Sequence, residues 1–458
     1  MPILRKEVVC FVSKCMIKPH QISEEAHEEI SLTPWDLTML SAHLIQKGLL
    51  FANPSPLSSH EDGIMVKIID QLKNSLSLTL GHFSPLSGRL STKKQDDPSS
   101  YKVFIDCSNC QGAEFIHAIA ESVTVADILN PLNVPPVVKS FFALDGSVNH
   151  DGHGKPLLVV QVTELVDGFF IGCSFNHVIG DGASFWHFFS TWAEICRSKG
   201  NIESISRPPI IKRWFTEEQQ QAEYSGINLP YSHHDEFIDR YITPPPLDKR
   251  IFHFSAQSIS QLKIKANNEC CTNNISSLQA LSALVWRAFT RALGVHGEQE
   301  TTCRLVTNDR TRLKPPMSLD YFGCSTGVVM GTAKSQELLG HGLGWAAWLL
   351  HEAVAGRTDD NVRGWLNNWS TDPSFLHIGR FYGQPVVTIG SSPRFDMYGC
   401  EFGWGKAMAV RSGSALEYSG SVWSYPGCEG GGSMDLEICL RPETMSALAS
   451  DEEFISSL

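Results

Sequence analysis

The chain carries one histidine set among glycines and a carboxylate in a way that suits proton transfer. In Phe175-Asn176-His177-Val178-Ile179-Gly180-Asp181-Gly182, an imidazole that titrates near neutrality can take a proton from an alcohol or amine as that group attacks a carbonyl, which is the central need of acyl transfer. The glycines at 180 and 182 keep the flanking backbone slim enough for a long substrate to approach. By itself the spacing His-x-x-x-Asp is weak evidence. With 17 histidines, roughly one such match is expected by chance in a chain of this size, and one is found. Taken alone, the motif reads better as Asp181 capping a helix and His177 as a satisfied, half-buried histidine.

Other spacings lead elsewhere. Gly323-Cys324-Ser325-Thr326-Gly327 matches the Gly-x-Ser-x-Gly of serine hydrolases, but a nucleophile elbow needs a strand before the serine and a helix after it. Here Pro315-Pro316 and a turn precede Ser325, and the strand-like Gly327-Val328-Val329-Met330 follows. Cys107-Ser108-Asn109-Cys110 has metal-like spacing without a second such pair, so these read as loop cysteines and no metal is expected. Gly430-Gly431-Gly432 lacks the Gly-Lys-Ser/Thr ending of a phosphate loop and reads as a surface turn.

The elements around His177 follow from periodicity. Leu157 to Val162 and Phe169 to Phe175 read as two strands joined by a tight turn at Val166-Asp167-Gly168, which puts His177 just past a strand end. From Gly182, the spacing of Phe185, Phe188, Phe189, Trp192, Ile195 and Cys196 predicts a helix buried on one side, with Asp181 at its N-cap. Helical periodicity also runs through Asp36–Phe51, Ile64–Leu78, Ser276–Leu293 and Gly344–Val354. A strand is expected near Arg304–Asn308, and strand-like runs continue to the end. The polar stretch from Lys199 to Asp248, with Arg207-Pro208-Pro209 and Pro244-Pro245-Pro246, reads as a crossover. It divides the chain into an N-terminal domain (1–198), a linker (199–248) and a C-terminal domain (249–458). No fixed-period repeat is present, which excludes a solenoid.

A chain of 458 residues with 42% hydrophobic and 19% charged residues is long and apolar enough for two large cores. Its net charge of -12 argues against nucleic acid while leaving room for a local basic groove. Thirteen scattered cysteines fit reduced thiols in the cytoplasm. Met1–Glu7 holds no signal-peptide core, and no apolar run reaches about 18 residues, so neither secretion nor membrane insertion is expected. Nothing demands more than a monomer.

Several landmarks in order and spacing resemble the BAHD acyltransferases of plants over nearly the whole chain. They are Thr33-Pro34-Trp35-Asp36-Leu37, Phe83-Ser84-Pro85-Leu86-Ser87-Gly88-Arg89-Leu90, Asn176 to Gly182, Ser276 to Ala283, Asn308 to Leu313 with Tyr321-Phe322-Gly323, and Glu401-Phe402-Gly403-Trp404-Gly405-Lys406. Pro34 to Leu37 and Ser184 to Phe189 look most like the subgroup with cutin- and defence-related members. The resemblance implies an α/β fold of two similar mixed-sheet domains, like chloramphenicol acetyltransferase, with a channel between them. Part of 375–400 can pack with the N-terminal domain. It implies acyl-CoA as co-substrate, no permanently bound cofactor, and a small plant metabolite of specialised metabolism accepting the acyl group on a hydroxyl or amine.

The resemblance further makes His177 the general base in the channel, reached by acyl-CoA from one face and acceptor from the other. Asp181 becomes a structural support paired with Arg310. Ser276 and Ser277 would lie beside the CoA arm, and Thr33, Trp35, Leu37 and Arg394 on the acceptor side. Arg394 would suit an acceptor with a carboxylate, and Trp35 and Trp186 would permit an aromatic acyl group. The run Glu401, Phe402, Gly403, Trp404, Gly405 would shape fold and channel away from the histidine. Glu401 replaces the usual aspartate, and Cys324 stands where an asparagine commonly follows Phe-Gly. The alternatives are a family member repurposed as a lyase-like enzyme or binding protein, and a serine hydrolase at Ser325.

Overall fold

A computed structural model describes residues 8–21, 29–54, 63–96, 99–200, 205–217, 226–240, 245–381, 385–415 and 417–458. Met1–Glu7 and the crossover stretches 201–204, 218–225 and 241–244, which include Pro244, lie outside the described residues.

The first half contributes strands β1 (Cys10–Ile17), β2 (Glu29–Ser31), β3 (Ile45–Ala52), β4 (Arg89–Asp96), β5 (Ser99–Asp106), β6 (Ala113–Ile119), β7 (Leu158–Glu164) and β8 (Gly168–Phe175). The second half contributes β9 (Asp248–Phe254), β10 (Glu300–Asn308), β11 (Thr326–Lys334), β12 (Val386–Gly390), β13 (Ala409–Ser412), β14 (Ser421–Pro426) and β15 (Met434–Leu440). Two mixed six-stranded sheets result, ordered β1-β6-β7-β8-β3-β13 and β11-β10-β12-β14-β15-β9, with a smaller β2-β5-β4 sheet beside the first. In the large sheets the parallel pairs are β6/β7, β10/β12 and β12/β14. The helices are α1 (Pro34–Thr38), α2 (Ile64–His82), α3 (Val125–Leu129), α4 (Gly182–Arg197), α5 (Ala256–Glu269), α6 (Ser277–Ala292), α7 (Ser335–Gly340), α8 (Leu343–Ala355), α9 (Asp359–Thr371), α10 (Pro442–Leu448) and α11 (Glu452–Ile455).

The hairpin expected before His177 forms, paired from Leu158 opposite Phe175 to Glu164 opposite Phe169. Strand β8 is buried along its whole length because β3 and β7 flank it and apolar side chains cover both faces. Helix α4 lays Phe185, Phe188, Phe189 and Trp192 into the first core, and α6 and α8 cover the second sheet with Trp286, Phe289 and Leu350.

Residues 36–51 do not form the helix that their periodicity predicts. Only α1 is helical, capped by Thr33, and the chain then turns into β3. This strand runs between β8 and β13 and is buried on both faces, so the alternation that identifies a half-exposed strand is missing. The C-terminus also differs from the expected strands: after β15 come α10, started by Pro442, and α11, capped by Asp451. Both are too short to leave a periodic signal.

The two halves interlock. Strand β13 crosses from the second half to pair with β3, from Ala409 opposite Leu50 to Ser412 opposite Lys47. Lys47 reaches from the first sheet to β14, donating to Tyr425 Oη at 2.6 Å with its ammonium 4.4 Å from the Trp423 ring centre. Burial pulls its pKa down to about 7.

Part of the crossover docks on the first half through histidines. The rings of His150 and His234 stack at 4.8 Å, those of His150 and His153 lie 4.3 Å apart, and His150 Nε2 bonds the Tyr101 hydroxyl at 3.1 Å. Burial, then the neighbouring His153, His234 and Arg240, pull the pKa of His150 down to about 3, against the opposing charge of Asp151. The unfolded chain therefore binds a proton at this site between pH 6.5 and about 3 while the folded chain does not. Stability from His150 is complete above pH 6.5 and falls by about 1.4 kcal/mol for each pH unit below it. Thermal melts between pH 7.5 and 5 should show this slope, and His150→Gln should reduce it. His153 and His234 are shifted the same way and should retain the remainder. A slope identical in the variant would refute the assignment.

Candidate active site

His177 lies two residues beyond β8 in a turn organised by Asn176. The Asn176 N–H donates to the Leu157 carbonyl at 2.8 Å, its Oδ1 accepts the Val178 N–H at 3.1 Å, and its Nδ2 donates to the Asn149 carbonyl at 2.7 Å. Side chains from distant elements meet both main-chain groups of His177. Its N–H donates to Asn149 Oδ1 at 2.7 Å, and its carbonyl accepts the Cys324 thiol at 2.9 Å. Asn149 is anchored in turn by donating to the carbonyls of Met39, Ala42 and His43 at 2.8, 2.9 and 3.1 Å.

Burial pushes the pKa of His177 below its ordinary 6.5, outweighing the bond from the ring to its own carbonyl and the negative charges of Asp181 and Asp36. The half-buried imidazole is therefore neutral at physiological pH. The ring nitrogen Nδ1 faces the Cys324 sulfur at 3.7 Å.

Asp181 is turned to other work. As N-cap of α4 its Oδ1 accepts the N–H groups of Ala183 and Ser184, both at 3.0 Å. Arg310 donates to both of its oxygens, at 2.6 and 3.1 Å, and Ser325 N–H donates to Oδ2 at 3.0 Å. Burial alone would raise the Asp181 pKa, but the Arg310 charge and these bonds hold it below the usual carboxylate range. Arg310 also donates to the carbonyls of Tyr321 and Gly323, at 3.1 and 2.9 Å.

A second buried carboxylate repeats the arrangement. Asp36 caps its own helix start by accepting from Thr33 N–H and hydroxyl at 2.9 Å, accepts the Cys324 N–H at 3.0 Å, and pairs with Arg213 Nε at 3.2 Å. Arg213 donates to the carbonyls of Ile179, at 2.9 Å, and Phe322. The segment from Tyr321 to Ser325 is thus held between two acid–arginine pairs. Arg213 and Asn149 have no sequence signal, because neither stands at a fixed spacing from His177. For Asp36, the Thr-x-x-Asp capping box gives away the cap but not the pairing with Arg213.

The other candidate residues are placed as follows. Thr33, Trp35 and Leu37 are buried, Thr33 as the α1 cap, Trp35 against the rings of Trp214 and Trp365, and Leu37 in the first core. Trp186 is likewise buried against Phe185 and Phe189. Arg394 is exposed, next to Phe395, whose ring lies against Gly182. The glycines near His177 are not left open: a Cβ on Gly180 would stand 2.5 Å from Ser184 Cβ, so its smallness is used by packing. Ser276 caps α6 in a local box with Gln279, and Ser277 is that helix's first residue. The Glu401 carbonyl accepts from Arg197 at 2.7 Å. Phe402 is packed edge-on to Trp192 and Phe189, with Trp404 stacked on it. Gly403 and Gly405 both take φ +106°, which favours glycine.

Ser325 precedes β11 with no helix after it, so no nucleophile elbow forms. Cys107 and Cys110 sit in a bend after β5, the Cys110 thiol donating to the Cys107 carbonyl at 3.3 Å. Among the described residues, His233, His234 and Asp235 bring metal-capable atoms within 4.8 Å of one another, but in the exposed crossover and with His233 Nδ1 already accepting the Asp235 N–H.

The family model described as Transferase family matches residues 8–455. An uncharacterized acetyltransferase of Arabidopsis thaliana is 35% identical over 98% of each chain. The BAHD acyltransferase DCR of the same plant is 32% identical over 97% of this chain and 92% of its own. Among solved structures, vinorine synthase superposes with a TM-score of 0.74 at 19% identity, covering 98% of both chains.

The geometry gives Asp181 and Arg310 a shared stabilising role. Asp181→Ala leaves a buried guanidinium without its counter-charge and α4 without its cap, and should cost about 3–5 kcal/mol in urea unfolding. Arg310→Met should cost a similar amount, and the double variant clearly less than the sum. Strict additivity would show that the two side chains do not act as a pair.

Proposed function

The chain belongs to the Transferase family as a BAHD acyltransferase, and from that premise we propose that His177 is the general base that activates the acceptor. Enzymes of this family take acyl-CoA as co-substrate, and this chain is an acyl-CoA-dependent acyltransferase. One observation carries the reading of His177. Burial holds its imidazole neutral, while the neighbouring Asp181 is fully engaged by Arg310, the α4 amides and Ser325.

In the proposed reaction a hydroxyl of a small-molecule acceptor gives its proton to His177 Nε2 as its oxygen attacks the thioester carbonyl. The tetrahedral intermediate collapses, the carbon–sulfur bond breaks, and the imidazolium returns the proton to the leaving CoA thiolate. Asp181 stays ionised and supports the site from behind. We assign Ser276 and Ser277 to the CoA side. Thr33, Trp35 and Leu37 are buried, so on the acceptor side they act by shaping the wall, whereas the exposed Arg394 can meet an acceptor carboxylate. The relative named as an acetyltransferase makes acetyl-CoA the first donor to test. Thirteen free thiols suit action in the reducing cytoplasm, as a monomer.

Purified protein given acetyl-CoA and a panel of small alcohols should release free CoA thiol with at least one acceptor. His177→Ala should lower that turnover by about 10²–10⁴ with its melting temperature unchanged. Because folding lowers the pKa of His177 and the neutral ring is the active form, activity should persist below pH 6.5 and fall only as pH drops through the lowered value. A fully active His177→Ala protein, or an acid limb above pH 6.5, would count against His177 as the base.

A further inference from the structure

We propose that the row of histidines holding the crossover against the first half is an acid-released latch on the turn that carries His177. The inference rests on His177 being the base. Four imidazoles line up across the contact, two from each side. Ring centres lie 4.3 Å apart for His153 and His150, 4.8 Å for His150 and His234, and 4.1 Å for His234 and His233. Neutral rings pack at this spacing, whereas imidazolium rings repel one another. The buried His150 ring is bonded to the Tyr101 hydroxyl of β5, and His153 to the His150 carbonyl and the Thr92 hydroxyl of β4, so no carboxylate is bonded to either ring. Lys94 of β4 and Arg240 of the crossover add positive charge around the row. Of the carboxylates, Asp151 is tied to Lys155 and Arg240 at 3.1 and 2.6 Å, and Glu236 to the His233 N–H at 2.7 Å. Asp235, 3.1 Å from His233 Nδ1 and 3.4 Å from His234 Nε2, serves the exposed end of the row. Burial, then these neighbours, keeps His150, His153 and His234 below their ordinary pKa of 6.5. Each ring that regains that value on release favours the released state about tenfold more for every pH unit below it.

The latch reaches His177 through adjacent residues. His150 N–H donates to the Leu40 carbonyl at 3.0 Å. Its neighbour Asn149 holds the carbonyls of Met39, Ala42 and His43 and accepts the His177 N–H at 2.7 Å. From the crossover, Asp239 N–H donates to the Ser41 hydroxyl at 2.7 Å, in the middle of the same segment. Residues 39–43 are thus gripped by Asn149 and His150 on one side and by the crossover on the other. Loss of the latch loosens both grips on the residue that holds the His177 turn. Against release stand the Arg240–Asp151 pair, the paired main chains of Leu229 and Tyr101, and the Phe237 ring on Tyr101.

Hydrogen exchange of the substrate-free protein, corrected for the intrinsic effect of pH, reads the release directly. From pH 6.5 to 5.5 the opening of residues 226–240 should rise at least about tenfold, while α6 keeps its protection. The double variant His150→Phe with His234→Phe keeps two rings and removes their protons, and should cancel the rise. Turnover should follow: the acid limb of kcat, for acetyl transfer from acetyl-CoA to a primary alcohol, should be steeper than about tenfold per pH unit in the wild type and return to the one-proton limb of His177 in the double variant. If the double variant does not fold at pH 7.5, His234→Phe alone, at a half-buried position, should take about a factor of ten from the rise per pH unit. An opening indifferent to pH, or one as acid-sensitive in these variants as in the wild type, overturns the latch. An acid limb of equal slope in wild type and variants overturns its hold on His177. Full turnover by His177→Gln would instead sink the base assignment, while the exchange comparison, made without substrate, would still decide the latch.

Discussion

Two buried carboxylates, each neutralised by an arginine, fix one short stretch of main chain, and the placement of His177 depends on them. Asp36 holds the Cys324 amide and Asp181 the adjacent Ser325 amide, at 3.0 Å each. Four charges in a dry interior would be prohibitive if any stood alone. Paired, and with the remaining lone pairs on backbone N–H groups, the charges are compensated. The arginines extend the frame: Arg310 reaches Tyr321 and Gly323, and Arg213 reaches Phe322 and the Ile179 carbonyl in the turn that carries His177. Neither the histidine turn nor the Tyr321–Ser325 segment has regular structure to hold it, so this network supplies the rigidity that a sheet would give elsewhere.

The frame also sets the electrostatics of His177, the proposed base. A carboxylate bonded directly to the imidazole would favour the imidazolium and raise its pKa. Asp181 and Asp36 do exert that pull, but their lone pairs are turned to arginines and amides, and burial of the ring prevails. The outcome is a neutral imidazole close to two anions. A base for an alcohol needs this condition, since a ring already protonated at neutral pH could not accept the acceptor's proton.

What the sequence disclosed depended on how local each feature is. The β7–β8 hairpin, α4 and its Asp181 cap are written in neighbouring residues, because strand alternation, the Asp-Gly turn and three-to-four spacing are short-range patterns. Strand β3 was illegible because burial on both faces removes the alternation, and its polar Gln46 and Lys47 are buried with the apolar residues around them. Arg213 and Asn149 were illegible for another reason. Arg213 sits in an irregular crossover where no periodicity marks it, and Asn149 acts through a 28-residue separation from His177 that only the fold closes. Arg310 differed only because the family resemblance named it; the spacing from Asp181 to Arg310 carries no physical signal of its own.

The same frame explains how position 324 can hold cysteine. Asp36 grips the main-chain N–H of Cys324, a group every residue but proline possesses, so the frame survives a change of side chain there. The side chain is then free to vary in the one direction it points, toward the His177 carbonyl and ring. The Glu401–Gly405 turn follows a similar logic. The Phe402 ring fills the aromatic face of α4 and the left-handed glycines set the turn, while residue 401 contributes its carbonyl to Arg197. An aspartate or a glutamate presents that carbonyl equally well. In both places the backbone bears the structural burden, and the side chain that departs from the family pattern is left to adjust what it faces.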